Sequence, residues 1–202
     1  QLAAWLPFFR SHSVWTMPSR EPWKAAGERL EAVREAMTWR YRLLPYWYTQ
    51  AALLAEGGDP IIRPVRWPDP DEAAAEVVAV DDAFLVGPHV LVAPVLTPGA
   101  TEREVRLPAS AWWPLAGGDP VTGASTVAVT MDRIPVFVRA GAVLPTDEGG
   151  VDVLALHPPD GGAADPGWWY RDAGDGDGPH RLDRFDVTGT PDAWTVGRNV
   201  VD

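Results

Sequence analysis

Cysteine is absent from this sequence. Its absence excludes a disulfide framework and thiolate chemistry, and it leaves the compartment open. Long apolar runs are also missing: none approaches the roughly 18 residues needed to cross a bilayer as a helix. Positive charge is scarce, with 17 Lys and Arg against 28 Asp and Glu and a formal net charge of −11. Neutralising nucleic-acid phosphates requires a basic face, so this balance argues against a nucleic-acid partner, and equally against an anionic membrane surface. The first residues show neither a starting Met nor a charged stretch ahead of an apolar one, so no secretory signal is expected. His12, His89, His157 and His180 are scattered without metal-ligand spacing, and no metal or other cofactor is expected.

What is present is a globular composition, 46% hydrophobic over 202 residues, enough for a real core. Eleven Trp stand out. Trp is enriched in carbohydrate sites and at interfaces, because its flat face packs on apolar surface while its N–H finds a partner. The pairs Trp112-Trp113 and Trp168-Trp169 read first as covers for sheet edges and domain interfaces, and second as sugar platforms.

Along the chain, residues 1–6 are helix-compatible and end at Pro7. Residues 7–10 form a short aromatic run whose length favours a strand. Residues 11–23 are a loop punctuated by Pro18 and Pro22. From about Glu28 to Ala55 the pattern is helical, with Leu30, Val33, Met37, Tyr41, Leu44, Tyr48 and Ala51 at steps of three or four. Pro45 should kink this helix and Gly57-Gly58 should stop it. After Pro60 short β-rich runs follow one another between Pro, Gly and Asp. They are Ile61-Ile62, Ala83–Val86, Val90–Val92, Val95-Leu96, Glu104–Leu107, Thr126–Thr130, Val136–Arg139 and Val143-Leu144, the pattern of an all-β sandwich. Further β segments are expected at Val151–His157, Arg184–Val187 and Trp194–Val196.

Several stretches now carry a resemblance. "PFFRSHS" (7–13), "REPW" (20–23), "RYRLLPYWYT" (40–49), "GDPIIRPVRWPDPD" (58–71), "DAFLVGPHVLVAPVL" (82–96) and "RIPVFVRAGAVLP" (133–145) are similar, in this order, to motifs of glycoside hydrolase family 31, the α-glucosidase and α-xylosidase family. "WYRDAG" (169–174) looks like a degraded form of a further family turn. The resemblance implies an α+β piece of a larger fold. Residues 1–57 would be the last strand and helix of a (β/α)8 catalytic barrel, 58–148 an antiparallel β-sandwich, and 149–202 the start of a second β-domain. The opening residues read as the middle of a structural element, so a missing N-terminal barrel of the same enzyme is the expected partner.

Retaining glycosidases need two carboxyl groups about 5–5.5 Å apart, one to attack and one to shuttle a proton. In the family both are aspartates on strands before the eighth, and neither motif occurs here, so no catalytic residue is assigned. Asp69, Asp71, Asp81 and Asp82 cluster in sequence but read as solvated turn residues. Asp172, Asp175 and Asp177 lack the remaining ligands of an EF-hand loop and read as an acidic turn. By resemblance His12, at the C-terminal end of the eighth strand, binds the sugar of an α-glycoside substrate, and Arg10 holds an acidic neighbour or touches the sugar. The family's two Asn around His12 are Ser11 and Ser13 here. Two functions follow: the C-terminal portion of a retaining α-glycosidase, inactive alone, or a non-catalytic β-sandwich that binds carbohydrate or protein. Residues 1–56 discriminate them, because a binding module has no use for a helix whose apolar stripe awaits barrel neighbours.

Overall fold

The computed structural model describes residues 1–65, 80–162, 164–174 and 178–201. Asp69, Asp71, Asp175 and Asp177 fall outside them. A 3-10 turn over Leu2–Trp5 opens the chain. A second, Pro22–Lys24, begins with proline, whose fixed φ suits a first helical position. Helix α1 spans Glu28–Arg42 and α2 spans Leu44–Gly57. Pro45 does not sit inside one kinked helix. It lies in the first turn of α2, where its missing N–H leaves no bond unmade, and the break falls two residues earlier at Leu43. Gly58 ends α2 in the left-handed conformation (φ +81°), its N–H donating to the Leu54 carbonyl.

Twelve strands are described: β1 (Ile62–Pro64), β2 (Phe84–Val86), β3 (Val90–Val92), β4 (Glu102–Arg106), β5 (Trp112–Pro114), β6 (Ala124–Ala128), β7 (Val136–Arg139), β8 (Val143–Asp147), β9 (Asp152–Leu156), β10 (Gly167–Arg171), β11 (Arg181–Thr190) and β12 (Ala193–Val201). They form antiparallel sheets: β1-β2-β3-β7-β5, the ribbons β4-β6 and β8-β9, and β10-β11-β12. Val95-Leu96 forms no strand, and β5 and β10 appear where none was expected.

The five-stranded sheet buries both faces, and the two-residue period of a strand sorts its side chains between them. Val86, Val90, Val92, Val136 and Val138 face the helices, packing with Trp5, Ala36, Leu43, Tyr46 and Trp47. Leu85, Leu91, Phe137 and Trp112 share the opposite core with Val105 and Leu107. β8 alternates likewise: Leu144 joins the helical core, while Val143 packs with Phe185 and Val187 of the C-terminal sheet.

Two expectations are corrected. Residues 7–10 form no strand: Leu6 is extended (φ −116°, ψ 149°) and irregular backbone follows. A strand needs a neighbour for its ladder, and among the described residues none runs beside this segment. The helical stripe picked out by spacing is also not the buried one. Ala32, Ala36, Leu43, Tyr46, Trp47 and Gln50 are buried, whereas Tyr41, Leu44 and Tyr48 are exposed. The helices are apolar on two faces, and only one meets the sheet.

Candidate functional site

The loop bearing Arg10 and His12 starts from a buried anchor, since Ala4 and Trp5 lie in the helical core. Arg40, in the last turn of α1, holds the exit. Its Nη1 donates to the carbonyls of Ala4 (3.1 Å) and Leu6 (2.7 Å), and its Nη2 to that of Pro7 (3.1 Å). Carbonyls at the end of a helical turn lack partners within it, and a planar fork of donors suits several at once. The same guanidinium lies 5.7 Å from the Phe9 ring centroid and 5.9 Å from that of Trp47, within cation–π range.

Beyond Pro7 the backbone becomes irregular. Ser11 Oγ donates to the Arg20 carbonyl at 2.6 Å and closes the neck of a ten-residue excursion. Thus Ser11, one of the two serines flanking His12, makes the loop's own closing bond. Between anchor and neck, Arg10 Nη2 lies 2.9 Å from His12 Nδ1. A guanidinium has no acceptor atom, so Nδ1 accepts, and the neutral imidazole carries its proton on Nε2. Both residues are exposed. The structure therefore brings the two sequence-derived site residues together as one pair, and among the described residues no carboxylate bonds to either. Chemically the pair can offer N–H donors to hydroxyl groups. It carries no carboxylate.

A second polar cluster joins α2 to the sheets. The Tyr46 hydroxyl donates to the Val86 carbonyl at 2.8 Å, and burial pushes its pKa up. Thr49 Oγ1 donates to the Pro45 carbonyl and accepts the Tyr170 N–H at 3.0 Å. Tyr48 donates to Asp172, a bond that, with the Gly174 N–H, holds that carboxyl below the usual carboxylate range. His89 is buried with Nε2 3.1 Å from the Pro166 carbonyl and Nδ1 without a partner among the described residues. Its pKa is lowered to about 4, chiefly by desolvation. All of these residues and Arg40 except Pro166 fall within the quoted motifs, and Tyr48 also lies on the helical stripe, but spacing gave none of them a part in joining α2 to the sheets.

The remaining sequence candidates pack or pair within the fold. Trp112 is fully buried and donates to the Pro108 carbonyl, and Trp113 donates to that of Pro158. Trp168 and Trp169 are half-buried beneath Arg184 and Arg171. Asp82 pairs with Arg103 at 3.1 Å. Among the described residues no group of three or more His, Asp or Glu is placed to hold a metal.

Comparison with known proteins adds the following. The model of the "Glycosyl hydrolases family 31 TIM-barrel domain" matches residues 1–50, and that of the "Glycosyl hydrolase family 31 C-terminal domain" matches residues 58–144. Human neutral alpha-glucosidase C is 38% identical over 149 residues, covering 72% of this chain and 16% of that protein. A probable glucan 1,3-alpha-glucosidase of Arabidopsis thaliana is 36% identical over 148 residues, with the same two shares of 72% and 16%. This chain thus spans about a sixth of the length of these curated relatives. The crystal structure of an alpha-xylosidase from Xanthomonas citri superposes with a TM-score of 0.79 at 31% identity, over 98% of this chain and 23% of that one. A glucosidase II alpha subunit superposes with a TM-score of 0.80 at 25% identity, over 92% and 22%.

Proposed function

Because this chain belongs to glycosyl hydrolase family 31, we propose that it supplies the closing part of the catalytic barrel and the β-domains that follow it in a retaining α-glycosidase. In this reading residues 1–57 complete the (β/α)8 barrel, 58–148 form a β-sandwich and 149–202 begin a second β-domain. The substrate class is an α-linked glycoside. Relatives named as alpha-glucosidases, glucan 1,3-alpha-glucosidases and an alpha-xylosidase support that class.

The single observation that carries the reading is the Arg10–His12 pair, exposed on a loop that leaves a segment matching the family's barrel. His12 binds the sugar: its Nε2–H donates to a hydroxyl of the ring under attack, while Arg10 fills Nδ1 and so fixes which ring nitrogen donates. Such hydroxyl contacts lower the barrier when they strengthen in the oxocarbenium-like transition state. Attack and proton transfer fall to two carboxylates on earlier barrel strands, so the 202-residue chain alone is hydrolytically inactive.

Exposed apolar surface supports the same arrangement. Trp15 is 97% exposed, Phe8 73%, Trp23 71% and Tyr41 63%, all within the segment assigned to the barrel. Large apolar side chains exposed to this degree within one segment mark surface that packs against something, here the remaining barrel. The alternative, a free-standing binding module, leaves this face unexplained.

In the complete enzyme His12→Ala is expected to lower kcat/KM for an aryl α-glucoside by about ten- to a hundredfold, the loss of one or two hydrogen bonds to sugar. Folding should be nearly unaffected, because His12 is exposed. An unchanged kcat/KM removes His12 from the site. Turnover by the 202-residue chain, abolished by His12→Ala, would overturn the assignment of the chemistry to other strands.

A further inference from the structure

We propose that Arg40 is the positioning residue of the Arg10–His12 pair: it acts not on the substrate but on the backbone from which the pair projects. The inference rests on the reading of His12 as a sugar-binding residue and adds how that residue is held.

The argument begins with the backbone. A segment carrying a binding residue usually gains its rigidity from a ladder of backbone hydrogen bonds, and among the described residues this one has none. After the 3-10 turn the backbone bonds end with the Leu6 N–H on the Ala3 carbonyl, and the next in sequence is Met17 N–H to Val14 O, beyond His12. Residues 7–13 are thus held by side chains, and the bonds described come from two sources. At one end Ser11 Oγ bonds the Arg20 carbonyl. At the other the Arg40 fork bonds the carbonyls of Ala4, Leu6 and Pro7, three acceptors spread over four residues.

Arg40 can impose an orientation as well as a position. A guanidinium is planar, and three donor contacts on carbonyls of different direction fix both its plane and theirs. Its stacking partners lie on opposite sides of the junction: Phe9 belongs to the loop and Trp47 to the core. Arg40 therefore touches both Pro7, at the start of the loop, and Phe9, the residue immediately preceding Arg10. From Pro7 to Arg10 is three residues, too short a path for slack at its base to be absorbed before it reaches the guanidinium that meets His12 Nδ1.

The ring nitrogens of His12 report on this directly. With the histidine and arginine side chains of the 202-residue chain labelled with 15N, two-bond 1H–15N correlation spectra distinguish an Nδ1 that accepts from Arg10 from one that accepts from water. Arg10→Met sets the unbonded reference. Arg40→Met is expected to move the His12 shifts most of the way to that reference. Arg40→Lys keeps the charge without the planar fork and is expected to give a smaller displacement in the same direction. Arg42→Ala, two residues along α1 and bonded instead to Glu148, is expected to leave His12 unchanged.

A purely structural Arg40 would lower the melting temperature while leaving the His12 shifts of the folded protein in place, and that result overturns the proposal. If Arg40→Met does not fold, the Lys variant decides alone: His12 shifts identical to wild type overturn the proposal and displaced shifts support it. The spectra measure positioning and the kinetics of His12→Ala measure sugar binding, so either idea can fail without the other.

Discussion

The Gly87 backbone lies so close to the Tyr46 side chain that a Cβ built on Gly87 would stand 2.4 Å from the Tyr46 hydroxyl oxygen, and equally close to Gln50 Oε1. With φ at +57°, Gly87 is at once a left-handed turn residue and the floor on which α2 rests. Helix and sheet meet here backbone to side chain, which explains why the Tyr46 hydroxyl reaches the Val86 carbonyl.

Gly87→Ala is therefore expected to destabilise the chain by about 2–4 kcal/mol, combining left-handed strain with overpacking. Tyr46→Phe, which only leaves the Val86 carbonyl without its donor, should cost about 1–2 kcal/mol. Urea denaturation checks both. A Gly87→Ala midpoint equal to wild type would show that the helix does not rest on this turn.

Stability should decline in mild acid through buried His89 and half-buried His157. His89 and His157 are both lowered to about 4, in each case mainly by desolvation, against an unfolded value near 6.5. The unfolded chain thus binds more protons than the folded one between those limits, and stability rises with pH across that window. Each histidine contributes a slope of at most about 1.4 kcal/mol per pH unit between pH 4 and 6.5 and little above it. Around His89 the other charged groups are Arg139, Arg63 and Asp165; the two cations oppose its protonation and the carboxylate favours it. Replacing either histidine by Gln should flatten the acid limb of a stability–pH curve, and an equally steep limb in both variants would count against this account.

Asp183 anchors the C-terminal sheet. It is fully buried, and Arg171, Arg181 and Arg198 reach its oxygens at 2.7, 2.8 and 3.0 Å. Burial alone would raise its pKa, but the hydrogen bonds from Arg198, Arg181 and Arg171 outweigh it and hold the carboxyl well below the usual range. A depressed carboxylate contributes stability that is present above the unfolded value near 4 and is lost as pH falls below it. Asp183→Asn removes the charge that gathers three guanidiniums and should cost on the order of 2 kcal/mol, less than a deeply buried pair because the arginines reach solvent. A thermal melt unchanged from wild type at neutral pH would contradict it.

The exposed apolar face predicts self-association of the 202-residue chain. Sedimentation velocity should show the mean mass rising with concentration, and Tyr41→Lys combined with Leu44→Lys should return the chain towards the monomer, since both residues are exposed on the helices. Monomeric behaviour of the unaltered chain up to millimolar concentration would mean that this face needs no cover.

Local grammar was legible from sequence wherever one element's own residues decide the outcome. Gly58 stops α2, and β3 and β7 fall on the residues that the β-rich runs Val90–Val92 and Val136–Arg139 mark. Motif order identified the family and pointed to Arg10 and His12 before any distance was known. β5 was hidden because Trp112-Trp113-Pro114 is too short and too proline-bound to look like a strand; pairing with β7 makes it one. β10 was hidden inside a stretch whose turn residues dominated its pattern, and it exists through its ladder with β11.

What the amino-acid order determined by itself is the helical character of the stretch that ends at Gly57-Gly58, the net negative charge and the membership of a carbohydrate-active family, because propensity, capping, charge and motif spacing act over a few residues. What only the tertiary structure decided is which of two apolar helix faces is covered, that Arg40 holds the carbonyls before the loop, and that Arg10 rests on Nδ1 of His12. The first two depend on groups from separate elements meeting at hydrogen-bond or van der Waals distance, and no periodicity along the chain encodes a meeting across more than thirty residues; the third, between residues two apart, depends on the irregular backbone of their loop, which has no period to read.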